Sequence, residues 1–565
     1  MHKKIVVIGG VAAGATAAAK ARRTDEFAEI TLIEKGPYIS YANCGLPYYL
    51  GGDIKNKRDI LLHTPKSFGD RFNTEVYIKT EATSIDSKNK IVKAKKGDKE
   101  LTFEYDKLIM AVGSKPMIPP IEGLKDINYF LMRTVEDADK AIKYIKNKKP
   151  ESAIIIGGGY IGIEVADAMR NCKISTTIIE ALDSILPNYP GIISFAIKKE
   201  IESLGINIKV RSKVKKVRQK DSKVIVSLEG GNNIETDMLF VCTGIKPDID
   251  LAIKAGLEID ELGAIVVDKF MRTTDVNIYA AGDAVSKVNR ITGKKVLLQL
   301  AGPANREGRV AGCNAAGGDM SFPGVIGTSI VGFDTLAGGI AAAGTGITYE
   351  EALKEGFDAD YTYTCDPQHV SYYPNPKYIF LQMVFDKSNG RVLGAFASGF
   401  EDVARKIDVM ATAIYNNMTI DDLSYVDYCY SPAYGSAKDN VNIASYVANN
   451  IKHKEYNSIS PENFLKLYTQ NDELQILDVR STPEVKAEKI DGAANIYINE
   501  LRNNLNLLDK DRDIYVYCEV GFRGYISAKL LKQHGFKAYN IRGGIDAVKR
   551  IYEACNIKNM ITTNN

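Results

Sequence analysis

The sequence predicts an α/β protein built from two Rossmann-like units, an α+β segment and a further small α/β domain. Three observations predict this class. A strand, a glycine turn, a helix and a second strand follow one another in residues 4–34, and the same plan recurs in residues 153–180. Apolar and β-branched runs fill residues 350–445. After the polar stretch 447–460, which resembles a linker, a new alternation of strands and helices begins at Gln475.

The bulk composition is that of an ordinary globular protein of several domains. The 565 residues carry a net charge of +3 and are 45% hydrophobic and 25% charged, which argues against a nucleic-acid-binding surface. Eight cysteines without a CxxC pair form neither a zinc-site pattern nor a disulfide scaffold, so no metal is predicted. No membrane helix is predicted, and the start MHKKIVVIGG leaves no room for a cleavable signal, so we expect a cytoplasmic location.

The second glycine turn, residues 157–162, reads GGGYIG and is a complete GxGxxG between a strand and a helix. The glycines let the backbone approach a pyrophosphate, and the helix amino terminus offers its N–H groups. Glu180 ends the next strand, where its carboxylate can accept a hydrogen bond from a ribose 2′-hydroxyl but would repel a 2′-phosphate. The unit is therefore predicted to bind NADH in preference to NADPH.

The first glycine turn, residues 9–14, reads GGVAAG and departs from this motif, because Val11 occupies the position of the middle glycine. Glu34 is correctly placed as the following acid. The turn alone leaves nucleotide binding open, since valine must still leave room for a phosphate.

Residues 273–285, TTDVNIYAAGDAV, run from a strand into Gly282-Asp283. This segment resembles the second flavin fingerprint of the pyridine nucleotide-disulfide oxidoreductases, whose aspartate holds the ribityl chain of FAD. LIMAVGSKP at 108–116 and LFVCTGIKPD at 239–248 resemble the strands that pass between the FAD and NAD domains of that family. The resemblance covers residues 1–325 and implies that the first unit binds FAD and the second NADH, with hydride passing from nicotinamide to flavin.

The resemblance also implies site residues and domain bounds. The implied FAD residues are Gly9, Gly10, Ala12, Ala13, Gly14, Glu34, Lys35, Asn43, Ala111, Gly113, Gly282 and Asp283. The implied NAD residues are Gly157, Gly159, Tyr160, Ile161, Gly162, Glu180 and Gly244. The implied domains are FAD-binding (1–117 and 246–325), NAD(H)-binding (118–245), dimerisation (326–446), a linker (447–460) and a final α/β domain (461–555).

Cys44 lies in the stretch SYANCGLPYYLGG, residues 40–52, and the next cysteine along the chain is Cys172. Most disulfide reductases of the superfamily instead pair two cysteines at CxxxxC spacing beside the flavin. A lone thiol can store two electrons only by pairing with a small-molecule thiol or by oxidation to a sulfenic acid. The stretch resembles the single-cysteine branch of the family, namely coenzyme A-disulfide reductases, NADH-dependent persulfide or polysulfide reductases, NADH oxidases and NADH peroxidases.

Coenzyme A is an anionic nucleotide and needs local cations in this nearly neutral chain. A basic residue that ends a helix can equally complement the helix dipole or be solvated. By resemblance to coenzyme A-disulfide reductases, the implied coenzyme A contacts are Lys20, Arg23, Ser40, Asn43, Arg71, Arg306 and Lys438.

Residues 350–445 resemble the family's dimerisation domain, which implies a homodimer. In the coenzyme A-reducing branch, one tyrosine from each of two tyrosine-rich stretches reaches the cysteine of the other subunit, where a phenol can donate a proton to a leaving thiolate. The two stretches here are HVSYYPNP at 369–376 and YCYSPAYGSAKD at 428–439. The best matches are Tyr372 and Tyr430, with Tyr373 and Tyr434 as alternatives.

The final domain contains LDVRSTPEV at 477–485, then KIDGAANIYINEL, and YVYCEVGFRGYISAKLL at 515–531. In this order the segments resemble a single rhodanese domain. Cys518 ends a strand and begins a short loop into a helix, so backbone N–H groups and the helix dipole can surround a thiolate or persulfide. Arg523 adds positive charge, and Asp478 with Arg480 is expected to brace the loop. Lys489 stands where many rhodanese domains have histidine.

The leading functional hypothesis joins Cys518 and Cys44. Cys518 would accept sulfane sulfur and pass it on towards Cys44, which the flavin then reduces, with FAD, NADH and coenzyme A as cofactors and substrates. The substrates would be coenzyme A disulfide, coenzyme A persulfide or polysulfide. One alternative is an NADH oxidase or peroxidase that cycles Cys44 through sulfenic acid. The second alternative is a sulfur carrier or redox-sensing flavoprotein.

Overall fold

The computed structural model describes residues 2–471, 473–554 and 560–563. The chain forms two compact units, the first from Met1–Leu182 and Gly205–Val325 and the second from Asp183–Leu204 and Ile326–Asn565. Among the described residues, no helix combines the length and hydropathy that a membrane crossing requires.

The first Rossmann-like unit is a five-stranded parallel sheet in the order β17-β7-β1-β2-β3. The first eight strands of the chain are β1 (Lys4–Ile8), β2 (Glu29–Ile33), β3 (Thr74–Tyr77), β4 (Glu81–Asp86), β5 (Ile91–Lys96), β6 (Lys99–Glu104), β7 (Lys107–Met110) and β8 (Ser114–Pro116). Of these, β1, β2, β3 and β7 belong to the parallel sheet. The accompanying helices are α1 (Ala12–Thr24), α2 (Leu46–Gly51), α3 (Lys57–Ile60) and α4 (Pro65–Phe72).

The second Rossmann-like unit has a four-stranded parallel sheet in the order β11-β10-β9-β15. The elements of this part of the chain are α5 (Val135–Lys148), β9 (Ser152–Ile156), α6 (Tyr160–Asn171), β10 (Ser175–Ile179), α7 (Gly191–Ser203), β11 (Asn207–Lys209), β12 (Val214–Lys220), β13 (Lys223–Leu228), β14 (Asn233–Thr236), β15 (Met238–Val241), β16 (Ile245–Pro247), α8 (Asp250–Lys254), β17 (Ile278–Ala280), β18 (Lys287–Val288), β19 (Lys295–Val296) and α9 (Ala301–Ala315).

Helices α1 and α9 pack closely because small residues line their contact. A Cβ atom added to Gly308 would lie 2.2 Å from the Ala13 carbonyl oxygen, and one added to Gly312 would lie 2.1 Å from that of Ala17. The alanine-rich sequence of α1 therefore serves close helix packing under the sheet, and the core of the unit includes most of these alanines.

The second unit begins with a five-stranded antiparallel sheet in the order β20-β21-β24-β23-β22, so β22 is an edge strand. Helix α7 belongs to this unit, although the predicted NAD(H) domain, 118–245, includes it. The elements are β20 (Ser329–Gly332), β21 (Ala341–Gly346), α10 (Tyr349–Lys354), β22 (Ala359–Pro367), β23 (Tyr378–Asp386), β24 (Val392–Gly399), α11 (Val403–Tyr415), α12 (Ile420–Tyr425) and α13 (Asn440–Lys452).

The second unit ends in a parallel sheet in the order β25-β30-β29-β26-β28. Its elements are β25 (Asn457–Ile459), α14 (Pro461–Gln470), β26 (Gln475–Asp478), α15 (Thr482–Ala487), β27 (Glu488–Ile490), β28 (Ala494–Asn495), β29 (Ile514–Tyr517), α16 (Phe522–Gln533), β30 (Ala538–Ile541), α17 (Gly544–Ala554) and β31 (Ile561–Thr563).

The predicted linker, residues 447–460, is wrong as a description of this segment. Helix α13 continues to Lys452, and β25 pairs in parallel with β30. Polar residues on the outer face of α13 gave the stretch its linker-like composition, while Ala448 and Ile451 are buried on the inner face. Only residues 453–456 lie between α13 and β25.

Candidate functional site

The first glycine turn leaves β1 at Gly9, whose φ is +98°. A Cβ atom on Gly9 would lie 2.2 Å from the Ala111 carbonyl oxygen, and one on Gly14 would lie 1.7 Å from the Gly9 carbonyl oxygen. Both positions therefore need glycine, the first for its backbone angle and both for space. The turn is held against the end of β7, and α1 begins within it at Ala12.

The second turn repeats this construction. Gly157 has a φ of +109°, and an added Cβ atom would lie 2.4 Å from the Cys242 carbonyl oxygen. A Cβ atom on Gly162 would lie 2.0 Å from the Gly157 carbonyl oxygen. Gly159 differs, because no atom lies within 4 Å of a Cβ added there. The helix amino terminus thus faces open space, as a bound pyrophosphate requires, and the same geometry explains how the chain accommodates Val11 in the first turn.

The glutamate that follows the second strand of each unit is held by the same kind of backbone hydrogen bonds. Glu34 accepts hydrogen bonds from the Gly10 N–H at 2.7 Å and the Gly36 N–H at 2.7 Å. Glu180 accepts from the Gly158 N–H at 2.7 Å and from the Leu182 N–H at 2.8 Å. Each carboxylate is therefore oriented beside its glycine turn with lone pairs left for a ribose hydroxyl.

The structure gathers most of the predicted FAD residues at the carboxyl ends of β1, β2, β7 and β17. Gly282 has a φ of +90°, and a Cβ atom there would lie 3.1 Å from that of Ala13. Asp283 accepts a hydrogen bond from the Ser114 hydroxyl at 2.8 Å and pairs with Arg133 at 3.3 Å. Lys35 is exposed and forms an ion pair of 3.6 Å with Asp248, the residue directly after β16.

The candidate redox residue Cys44 lies in a 3₁₀ turn, Asn43–Gly45, directly before α2. It is exposed, and neither Cys44 nor any other cysteine in the described part of the chain forms a disulfide. Desolvation raises the pKa of its thiol above the ordinary value, and the carboxylates of Glu164 and Asp283 raise it further, while Arg133 lowers it. The turn therefore presents an accessible thiol whose protonated form is favoured.

Glu164, on the inner turn of α6, is a site residue that the sequence reasoning missed. Burial raises the pKa of its carboxyl to about 7, the Tyr48 hydroxyl opposes this with a hydrogen bond of 3.4 Å, and Asp167 raises it. Tyr48 lies on α2, one helical turn after Cys44. Glu164 lies two residues after the GxGxxG, on the helix that this motif begins, and this position is the sequence signal that could have identified it.

The predicted coenzyme A contacts are divided between the units. Lys20 and Arg23 lie in the last two turns of α1, and Arg71 lies in the last turn of α4. Within the described residues, none of the five basic members forms an ion pair, which leaves their charges available to an anion. The first unit holds Lys20, Arg23, Ser40, Asn43, Arg71 and Arg306, and the second holds Lys438.

The two tyrosines predicted to assist Cys44 meet in the second unit. Tyr372 follows β22 and Tyr430 follows α12, and their hydroxyl oxygens lie 3.4 Å apart. Both side chains are exposed, and the hydrogen bond to Tyr430 raises the pKa of Tyr372. The alternatives, Tyr373 and Tyr434, are also exposed, but neither belongs to this pair.

Cys518 immediately follows β29 and is buried at the start of a loop into α16. The Gly521 N–H points at its sulfur, with a nitrogen–sulfur distance of 3.2 Å, and the φ of Gly521 is +102°. Arg523, in the first turn of α16, is held by Glu484 through hydrogen bonds of 2.9 and 2.6 Å. The hydrogen bonds to Glu484 are the main cause that holds the pKa of Arg523 above its ordinary value, and the nearby Cys518 sulfur adds to the effect.

Asp478 and Arg480 brace the loop as predicted. Arg480 is buried, pairs with Asp478 at 2.9 Å and reaches the Glu519 carboxylate of the loop at 3.1 Å. Lys489 lies in β27, and its side chain is half-buried. The loop can therefore hold an anionic sulfur by its backbone and by Arg523.

Comparison with known proteins bears on both halves of the chain. A family model described as pyridine nucleotide-disulphide oxidoreductase matches residues 3–308. The chain belongs to this family. The model of the family's dimerisation domain matches residues 336–442, and that of a rhodanese-like domain matches residues 460–551.

Two solved structures resemble the oxidoreductase over nearly its whole length. The reduced Bacillus anthracis CoADR-RHD is 33% identical with a TM-score of 0.94, and the match covers 98% of this chain and 99% of that one. A NAD-dependent persulfide reductase from A. fulgidus is 36% identical with a TM-score of 0.90, covering 96% and 99%.

Two curated relatives each match 78% of the chain. An NADH oxidase of Methanocaldococcus jannaschii is 32% identical over 446 residues, which are 78% of this chain and 98% of the relative. A coenzyme A-dependent NAD(P)H sulfur oxidoreductase of Pyrococcus abyssi is 33% identical over 440 residues, covering 78% and 96%. The predicted fold class and family resemblance are thereby confirmed.

Proposed function

We propose that this oxidoreductase uses NADH to reduce coenzyme A disulfide, coenzyme A persulfide or polysulfide at Cys44, and that Cys518 transfers sulfane sulfur to the same pathway. The observation that carries the proposal is the presence, in one chain, of an exposed unpaired Cys44 in the turn before α2 and of a buried Cys518 that accepts from the Gly521 N–H near Arg523. The first thiol suits a diffusible sulfur partner, and the second suits a persulfide.

The residues of the two turns fit the cofactors that the family implies. The first turn with Glu34, Gly282 and Asp283 would hold FAD, and the second with Glu180 would hold NADH, whose free 2′-hydroxyl suits the oriented carboxylate. Bound FAD supplies the transfer of two electrons from NADH to the sulfur at Cys44.

Cys44 acts as the nucleophile in this scheme. Its thiolate attacks one sulfur of coenzyme A disulfide, so that a Cys44–coenzyme A disulfide forms and one coenzyme A thiolate leaves and takes a proton. Two electrons and a further proton then release the second coenzyme A as a thiol and restore the Cys44 thiolate. With coenzyme A persulfide, attack on the outer sulfur breaks the sulfur–sulfur bond, gives a Cys44 persulfide and releases coenzyme A thiolate, which takes a proton. Two electrons and a further proton then release the outer sulfur as hydrosulfide and restore the Cys44 thiolate.

The paired phenols of Tyr372 and Tyr430 would supply the proton to the leaving thiolate, in a homodimer whose tyrosines serve the cysteine of the other subunit. The match to the family's dimerisation domain supports this arrangement. The basic residues Arg23, Arg71 and Arg306 would hold the phosphates of coenzyme A. A cytoplasmic location remains a prediction.

Cys518 would attack the sulfane sulfur of a donor, form Cys518–S–SH and release the donor's remaining thiol. Transfer of that outer sulfur to coenzyme A thiolate restores Cys518 and gives coenzyme A persulfide, the substrate of Cys44. The ion pair of Glu484 and Arg523 stabilises the end of this loop, where α16 begins.

A second candidate function is that of an NADH oxidase, in which Cys44 cycles through sulfenic acid. The relative named NADH oxidase favours it, and so does the lone cysteine. The rhodanese-like domain favours sulfur, because oxygen reduction has no use for Cys518.

The test compares NADH oxidation by the holoenzyme with oxygen, coenzyme A disulfide, coenzyme A persulfide and polysulfide. We expect Cys44→Ser to keep its FAD but to lose reduction of all sulfur substrates by at least about 100-fold, because the nucleophile is gone. Cys518→Ser should lower turnover with thiosulfate-type donors or polysulfide and spare coenzyme A disulfide. Unchanged turnover in Cys44→Ser would sink the mechanism, and equal loss on both substrates in Cys518→Ser would refute the division of labour.

A further inference from the structure

A buried polar junction joins the rhodanese-like domain to the edge strand β22. Arg542, directly after β30, donates to both carboxylate oxygens of Asp360, at 2.5 and 3.2 Å. It also donates to the Tyr361 carbonyl oxygen at 2.9 Å and to the Ser458 hydroxyl at 3.0 Å. The Arg542 side chain is only 10% exposed and that of Asp360 only 18%. This is a shielded, bidentate ion pair rather than a loose surface contact.

The neighbouring residues of β22 strengthen the junction. The hydroxyls of Tyr361 and Tyr363 both donate to the Glu462 carboxylate, at 2.6 and 3.0 Å. Glu462 lies in the first turn of α14, so the edge of the antiparallel sheet is covered by polar groups of the following domain. Two separate polar contacts, one at Arg542 and one at Glu462, therefore hold the same strand.

Arg542 is also directly linked to the Cys518 loop. The next two residues, Gly543 and Gly544, have φ values of +71° and +63°. A Cβ atom on Gly543 would lie 3.3 Å from that of Tyr363, and one on Gly544 would lie 2.3 Å from the Cys518 carbonyl oxygen. The turn that follows Arg542 therefore touches β22 on one side and the sulfur-transfer loop on the other.

Backbone hydrogen bonds complete the connection. The Ile545 N–H donates to the Cys518 carbonyl oxygen at 2.8 Å, and the Asp546 N–H donates to the Glu519 carbonyl oxygen at 3.1 Å. Any shift of Arg542 is thus passed through one short turn to the peptide groups that carry Cys518. A loop that must place N–H groups around an anionic sulfur tolerates such shifts poorly.

We propose that Asp360 and Arg542 are positioning residues for sulfur transfer at Cys518, so that a strand of the reductase forms part of the sulfurtransferase site. The inference rests on the proposed function, because it requires that Cys518 transfers sulfur. Glu462 holds β22 from helix α14, whereas Asp360 acts through Arg542, the residue directly before the turn that contacts the Cys518 loop.

The test measures thiocyanate formation from thiosulfate and cyanide by the full-length holoenzyme. In this reaction Cys518 takes the outer sulfur and releases sulfite, and cyanide then takes that sulfur and restores the thiolate. Asp360→Asn leaves Arg542 without its charge partner and should lower kcat about 10-fold with less change in KM. Asp360→Glu, which restores the charge, should recover part of the loss. NADH oxidation with coenzyme A disulfide reports the integrity of the rest of the chain.

Glu462→Gln is the matched control within the same junction. It weakens the hydrogen bonds of the Tyr361 and Tyr363 hydroxyls, leaves the Asp360–Arg542 ion pair in place, and should keep kcat for thiocyanate within about twofold of the parent enzyme. The proposal is overturned if Asp360→Asn equals the parent, if Glu462→Gln loses as much as Asp360→Asn, or if Asp360→Asn loses reductase turnover in parallel. If the parent enzyme itself shows no Cys518-dependent thiocyanate formation, the proposed function fails instead.

Discussion

At the scale of single residues, the chemistry of the first unit depends on how Cys44 and Glu164 share one electrostatic environment. The carboxylate of Glu164 raises the pKa of the Cys44 thiol, and burial raises the pKa of Glu164 itself to about 7. Tyr48 contacts Glu164 from the helix that follows Cys44. Near neutral pH, therefore, the proton on Glu164 and the state of the thiol are linked.

The raised pKa of Glu164 predicts a pH-dependent stability. The folded protein holds the proton more tightly than the unfolded chain does, so stability falls as the pH rises from about 4.5 to about 7, by at most about 3 kcal/mol. Glu164→Gln removes this loss because its amide never ionises. We expect the variant and the parent to unfold at similar temperatures at pH 5 and the variant to unfold at a higher temperature at pH 8. A difference independent of pH would contradict the assignment.

The phenol pair predicts a coupled effect on turnover. Tyr372→Phe and Tyr430→Phe each remove one partner of the 3.4 Å contact and should lower kcat with coenzyme A disulfide about 10-fold, with FAD content unchanged. Because the two act together, the double variant should lose little more than either single variant. Tyr425→Phe, at an exposed tyrosine outside the pair, is the control. Full turnover in both single variants would exclude a catalytic role.

At the scale of elements, the two glycine turns separate a structural role from a ligand-binding one. Gly162 lies against the Gly157 carbonyl oxygen, whereas Gly159 faces open space. The sequence motif treats both positions alike, and only the packing distinguishes them.

This difference predicts opposite results for two alanine variants. Gly162→Ala should lower the unfolding temperature, at a cost of about 1–3 kcal/mol, because the new methyl group overlaps the turn. Gly159→Ala should leave the unfolding temperature unchanged but raise the KM for NADH about 10-fold or more, because the methyl group occupies the space predicted for the pyrophosphate. Thermal unfolding and NADH titration check the two. Normal NADH binding in Gly159→Ala would show that the cofactor does not approach this turn.

The elements also show where prediction from sequence succeeds and where it fails. The βαβ units could be predicted because their glycines meet local steric demands that recur in any such turn. The position of Glu164 on the helix after the motif can be read from the sequence, but its burial cannot, because that depends on the packing of α2 against α6, which are far apart in sequence. Strand β25 escaped prediction because only its pairing with β30 makes three ordinary residues a strand, and the apolar spacing of Val441, Ala444, Ala448 and Ile451 was outweighed by polar neighbours.

At the scale of the whole molecule, the second unit carries two large sheets, and only residues 453–456 lie between helix α13 and β25, which belongs to the second of these sheets. Edge strand β22 offers Tyr361 and Tyr363 to the following domain, where both are buried. An unprotected edge strand with two aromatic side chains is a template for aggregation.

Deletion of residues 453–565 should therefore harm the remaining reductase. We expect the truncated chain to unfold at a temperature several degrees lower and to form oligomers beyond a dimer, because β22 loses its cover. Size-exclusion chromatography and thermal unfolding measure both effects. The same truncation with Tyr361→Lys, which places a charge on the edge, should recover solubility. A truncated chain as stable as the full one would mean that the edge needs no cover.

The junction at Asp360 and Arg542 also limits how this fusion can change over evolution. Neither residue can be replaced alone without leaving a buried charge unpaired, so substitutions at the two positions must occur together. A sulfur-transfer domain grafted from another protein would need an arginine at the end of its equivalent of β30 and two glycines after it. Exchange of the sulfur-transfer domain alone would therefore leave Asp360 shielded from water without its charge partner, unless the incoming domain supplied that arginine.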